Sequence, residues 1–226
     1  MSNGVELWLF RSFGADGGRC SVWFVGRFAH GDLVAADASL EGGPSDHGVR
    51  LILVKHLLVS CANVNDLELI CRALYKDHPA ISEIITPHRR KFEFAKYIRN
   101  IAAGHVNPAL SQKTLEWRPV LDAVLTKPGA PAEAFLGYAM LETAINTSVY
   151  GERHRIFDSD TDLAYPPDMT RFLNFLGSTV HVGIVYCAAV ATAALDHANL
   201  PDFNESWREL SAKAGATDFA FITRRG

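Results

Sequence analysis

The chain predicts a mainly α-helical bundle, and three observations carry that prediction. Apolar residues recur at steps of three and four along several segments, a stretch of 24 residues from Phe172 to Leu195 carries no Asp, Glu, Lys or Arg, and Pro or Gly breaks separate the pieces. The 226 residues therefore read as a single helical domain. Its bundle core spans 48–200, and 1–47 and 201–226 are peripheral segments. A chain of this length buries roughly 70% or more of its unfolded surface and folds without staples.

Residues 5–10 and 20–28 are apolar and aromatic enough for strands or for short helices. Glu41-Gly42-Gly43-Pro44-Ser45-Asp46 is a clear break. Beyond it, Leu51, Val54, Leu57, Leu58 and Cys61 follow helical spacing, as do Leu67, Ile70, Cys71 and Leu74 after a cap signal at Asn65-Asp66. These form two helices or one kinked helix. Pro79 opens a further segment that Pro87 ends or kinks, and a helix from His88 follows. Between Ala132 and Tyr150, the residues Ala134, Tyr138, Leu141, Ile145 and Val149 share one helix face. Tyr165-Pro166-Pro167-Asp168 precedes the charge-free stretch, which is long enough to span a bilayer. Its polar and small residues and the lack of basic flanks favour a buried bundle helix over a membrane span. A short helix over 204–212 and a strand over 219–222 end the chain, so short strands are expected at the termini.

Hydrophobic content of 48%, charged content of 21% and a mean hydropathy of +0.04 describe an ordinary soluble protein. Four scattered cysteines without a CxxC pair disfavour a zinc site or a redox dithiol. Paired His/Asp/Glu metal spacing and a Gly-rich phosphate loop are absent, so neither a metal nor a cofactor is expected. With no signal-peptide pattern at residues 1–6, the expected location is cytoplasmic, with no membrane partner.

The most informative stretch is Arg99-Asn100-Ile101-Ala102-Ala103-Gly104-His105. Arginine grips phosphate oxygens with a planar, permanently charged fork, and imidazole exchanges a proton near neutral pH. Spacing by itself says nothing, because Arg50 and His56, and Arg72 and His78, stand equally far apart. Those arginines are followed by Leu51 and Ala73, whereas Arg99 is followed by the hydrogen-bonding Asn100. If 89–101 is helical, Phe94, Tyr97, Ile98 and Ile101 share a buried face, and Arg89, Phe92, Lys96, Arg99 and Asn100 share the other. Six residues on one helix are about 240° apart, so the helix must stop for Arg99 to meet His105. Gly104 suits a C-cap, and Asn107-Pro108 reads as the N-cap and first residue of the next helix. Between residues 80 and 119, seven Lys or Arg face three Glu, in a chain of net charge −3. Such a local basic region suits a polyanion held at one place.

These residues resemble the HEPN superfamily, whose motif is an arginine, usually a polar residue, and a histidine with four to six residues between the two. The resemblance rests on the motif and is compatible with the helical context from about 48 to 195. It implies a homodimeric helical bundle in which two motifs face one cleft and cut RNA without a metal, as a toxin with an antitoxin partner or in phage defence. On this chain it would make His105 the proton-transfer group, Arg99 the stabiliser of charge on phosphorus and Asn100 an orienting residue. Arg89 and Lys96 would bind substrate. The alternative is a non-catalytic helical dimer that binds RNA or protein. Two further groups carry less: Gly151-Glu152-Arg153-His154-Arg155 reads as charge ending a helix, and His181, three residues after Ser178, reads as a hydrogen-bonded core residue.

Overall fold

The computed structural model describes residues 15–43, 46–104, 107–118, 121, 129–151, 153–154, 156–195 and 207–216. Its helices are α1 (Ala15–Glu41), α2 (His47–Cys71), α3 (Pro79–Ile85), α4 (Arg89–Ile98), α5 (Pro108–Trp117), α6 (Ala130–Asn146), α7 (Pro166–Leu195) and α8 (Trp207–Gly215). A two-residue antiparallel pair, β1 (Val149–Tyr150) with β2 (Arg153–His154), is the only sheet among the described residues. The protein is mainly α-helical.

Residues 20–28 lie inside the 27-residue α1. That helix is not peripheral, because Val22, Ala29, Leu33 and Ala36 are buried in the same core as α2 and α7. A Cβ at Gly26 would stand 3.4–3.5 Å from Ala191 and Cys187, and one at Gly183 would meet Leu33 at 3.0 Å. The low positions of α1 thus oppose the high positions of α7, which makes the two helices antiparallel. Residues 5–10 and 219–222, where strands are expected, lie outside the described residues.

The Asn65-Asp66 cap signal is overridden. Asp46 caps α2 by accepting the Val49 N–H at 2.8 Å, and the helix then runs unbroken past Asp66 to Cys71. Continuous burial of Leu57, Leu58, Cys61, Val64 and Leu67 outweighs the local turn preference of Asn and Asp. Pro87 behaves as expected, sitting in a single 3₁₀ turn (Thr86–His88) ahead of α4. Tyr186 of α7 is fully buried, and its hydroxyl is satisfied by Cys71 Sγ and Tyr75 Oη, both at 2.7 Å. Burial raises the Tyr186 pKa far above the ordinary phenol value, so this junction stays neutral.

Helix α6 ends at Asn146, so Val149 leaves the shared face and is 45% exposed in β1. Gly151, at φ +63°, turns the hairpin, and Arg153 and His154 therefore lie in β2 and not at a helix end. Helix α7 begins six residues before Phe172 and is buried along one side, with Gly177, Ser178, His181, Val185 and Thr192 exposed. It is long and apolar enough to cross a membrane, and half of its most apolar window is covered by protein. Exposure of His181 removes its reading as a core residue, while Ser178 accepts from Lys91 Nζ at 2.9 Å and donates to the Phe175 carbonyl.

Candidate functional site

Helix α4 packs along α2 and delivers Arg99 to the point where the helix changes character. Phe92, Phe94, Ala95 and Ile98 are all buried, so the apolar face is wider than the sequence predicts and takes in Phe92. A phenyl ring placed among charged neighbours is drawn inward because α2 and α7 flank α4, and the Phe92 ring would lie 3.5 Å from a Cβ at Gly183. Lys96, Arg99 and Asn100 remain on the solvent side.

From Arg99 to Ala103 the chain forms a π-helical turn, closed by the Gly104 N–H donating to the Arg99 carbonyl at 2.7 Å. Such wide turns hold one residue more than an α turn and recur at functional sites. Gly104 does cap the segment, but at φ −101°, not in the left-handed region. Its smallness matters instead, because a Cβ there would lie 2.9 Å from the Arg99 carbonyl oxygen. Asn107 is the N-cap of α5, accepting the Leu110 N–H at 3.1 Å, and Pro108 takes the first helical position. The expected bend between two helices is therefore present on both flanks of His105, which itself lies outside the described residues.

Around Arg99 the structure brings together side chains that the sequence reading does not connect. Its Nη1 donates to Asp66 Oδ2 at 2.8 Å and to Asn63 Oδ1 at 3.3 Å, and its Nε donates to Asn100 Oδ1 at 3.2 Å. Lys96 Nζ meets the other Asp66 oxygen at 2.7 Å. One carboxylate thus faces two cations. Burial raises the Asp66 carboxyl, but the hydrogen bonds from Lys96 and Arg99 outweigh it and hold the group below the ordinary carboxylate range. The Asp66 side chain is 44% exposed, so water and solutes reach the cluster.

Arg89 does not join this group. Its Nη2 pairs with Glu68 Oε1 at 2.7 Å, and Arg72 holds the same carboxylate from the other side at 2.9 Å. Ten residues separate Arg89 from Arg99, a rise of about 15 Å along a helix. Glu68 is buried, the Arg89 Nε is buried without a partner, and the pair belongs to the packing of α2 on α4. Asn63, Asp66 and Glu68 were all legible as polar residues within an apolar helix, but nothing in one sequence shows which cations they meet.

A cavity of about 440 Å³ lies between the first turns of α2 and α7 and the side of α6, with Arg50, Phe135, Tyr138, Glu142 and Met169 among its walls. Arg118 neutralises Glu142 and reaches Asp162 at 3.0 Å. None of Asp66, Lys96, Arg99 and Asn100 lines it. Compared with known protein families, curated proteins and solved structures, the chain matches none.

Proposed function

We propose that the protein is a metal-independent endoribonuclease of HEPN type whose working residues are Arg99, Asn100 and His105, acting in toxin biology or phage defence. The observation that carries this reading is the state of Arg99. It stands at a π turn on the solvent side of α4, beside Lys96, with a half-exposed carboxylate as its counter-ion. A phosphodiester entering there can take over the guanidinium fork that Asp66 occupies in the free protein. Arg99 then stabilises the charge growing on phosphorus, and Lys96 adds a second cation. His105, six residues on and past the Gly104 cap, exchanges the proton of the attacking 2'-hydroxyl or the leaving oxygen. Internal attack leaves a cyclic phosphate, which restricts the chemistry to RNA. A second copy meeting this face would double the cations around one phosphate, and an antitoxin would act by covering it.

Purified protein is expected to cleave RNA in the presence of a chelator, and Arg99→Ala or His105→Ala to abolish cleavage. Cleavage untouched by both changes removes the reading. A second reading, a non-catalytic helical dimer that binds RNA or protein, is favoured by one observation: Asp66 already satisfies both cations. Binding of RNA without cleavage at any pH would select it.

A further inference from the structure

Helix α1 carries two apolar lines, and only one of them is used by the fold. Val22, Gly26, Ala29, Leu33 and Ala36 alternate at steps of four and three and face the core. On the opposite side Phe24, Phe28, Gly31, Ala35 and Ala38 repeat the same steps, all exposed and none charged. Steps of four and three over two turns are the seam of a two-helix coiled coil. Phe24 and Phe28 are 62% and 59% exposed, with their rings stacked 6.5 Å apart. A Cβ at Gly31 would touch nothing within 4 Å.

We propose that this seam binds a second copy of the chain through an antiparallel α1–α1 contact centred on Gly31. The argument is one of size. The first half of the seam is bulky and the second half is small, so a copy reversed about Gly31 sets Phe24 against Ala38 of the second copy and Phe28 against its Ala35. A parallel copy would oppose ring to ring and leave the Gly31, Ala35 and Ala38 pairs held apart over an unfilled gap, which close packing does not tolerate. A closed twofold contact of this kind uses one self-complementary patch on both partners. The area is adequate in kind. Two phenyl groups exposed to this extent leave about 240 Å² per protomer, roughly a third of the ~800 Å² that each partner gives to a standard interface. The rest comes from the small seam residues, half-exposed Val34 and the stem of Arg27.

The contact is independent of the ribonuclease reading. The seam faces away from the core, and α2, which holds Arg99 through Asn63 and Asp66, packs on the inner side of α1. A copy docked on the seam leaves the Arg99 cluster open.

The test is the mass of the full chain, 24.8 kDa per protomer, by light scattering after size exclusion. Phe24→Glu with Phe28→Glu is expected to halve the mass of the assembly at unchanged helical circular dichroism. A monomeric wild-type chain, or a folded variant of unchanged mass, overturns the proposal. Should that variant not fold, single cysteines decide in a Cys20→Ser background. Gly31→Cys is expected to form a disulfide-linked dimer under mild oxidation, and Ala38→Cys, about 21 Å from its counterpart in the antiparallel pair, is not. Cross-linking at both positions, or at neither, overturns it. RNA cleavage assayed on the same samples reports separately on Arg99.

Discussion

Two carboxylates on one helix, Asp66 and Glu68, each hold two cations and serve opposite ends. Glu68 is 3% exposed and receives Arg72 and Arg89, while the Asp66 side chain is 44% exposed and receives Lys96 and Arg99. The chemistry is the same, and only the water differs. Where water is excluded, removing one partner strands charge in a poor solvent; where water is present, the same pairing is worth little and is readily exchanged. Burial therefore makes Glu68 a fastening of the fold and leaves Asp66 as a counter-ion that a ligand can displace.

The largest effect that would test this contrast is Glu68→Ala, expected to cost about 3 kcal/mol in a urea titration because Arg89 keeps its buried stem and loses its carboxylate. A cost below ~1 kcal/mol would place the two clusters in one class. Next is Gly104→Ala, expected to cost about 2 kcal/mol through the clash with the Arg99 carbonyl. That strain disturbs only the exposed cluster, so NMR shifts should move at Arg99 and Asn100 and stay fixed at Arg72 and Arg89. Asp66→Asn is expected to change stability by less than ~1 kcal/mol and to tighten RNA binding up to about fivefold at low salt, since both cations are released. An unchanged affinity would mean that neither cation meets phosphate.

The smallest effect is that of pH. The folded Asp66 carboxyl titrates below its unfolded value, so its contribution is complete above the ordinary carboxylate pKa of about 3.9 and disappears as pH falls through the folded value. A carboxyl-carbon NMR titration should place the Asp66 midpoint below ~3.9. A midpoint above it would show that Lys96 and Arg99 are not bound to it in solution.

The sequence carried the helical class and most of the breaks, because period and Pro/Gly punctuation are local. Asp46, Pro79, Pro87, Asn107 and Pro108 act where their chemistry says they should. It misplaced what packing decides. Phe92 turns inward because of α7, Asn65-Asp66 fails to end α2 because the apolar run continues beneath it, and α1 joins the core through a glycine that allows close approach to α7. At the site, Arg99, Asn100 and the flanking caps were legible. Asp66 was not, since it stands 33 residues away and was taken up by a local turn signal.

The wide turn at Arg99–Ala103 has a consequence for how this stretch can vary between related chains. A π turn is a helix that has absorbed an additional residue, so its length, more than its composition, is what the surroundings constrain. Exchanging Ile101 or Ala103 would alter packing locally, but losing a single residue would return the backbone to α geometry and swing everything after Gly104 by about 100°. Point changes should therefore accumulate within this segment far more readily than insertions or deletions.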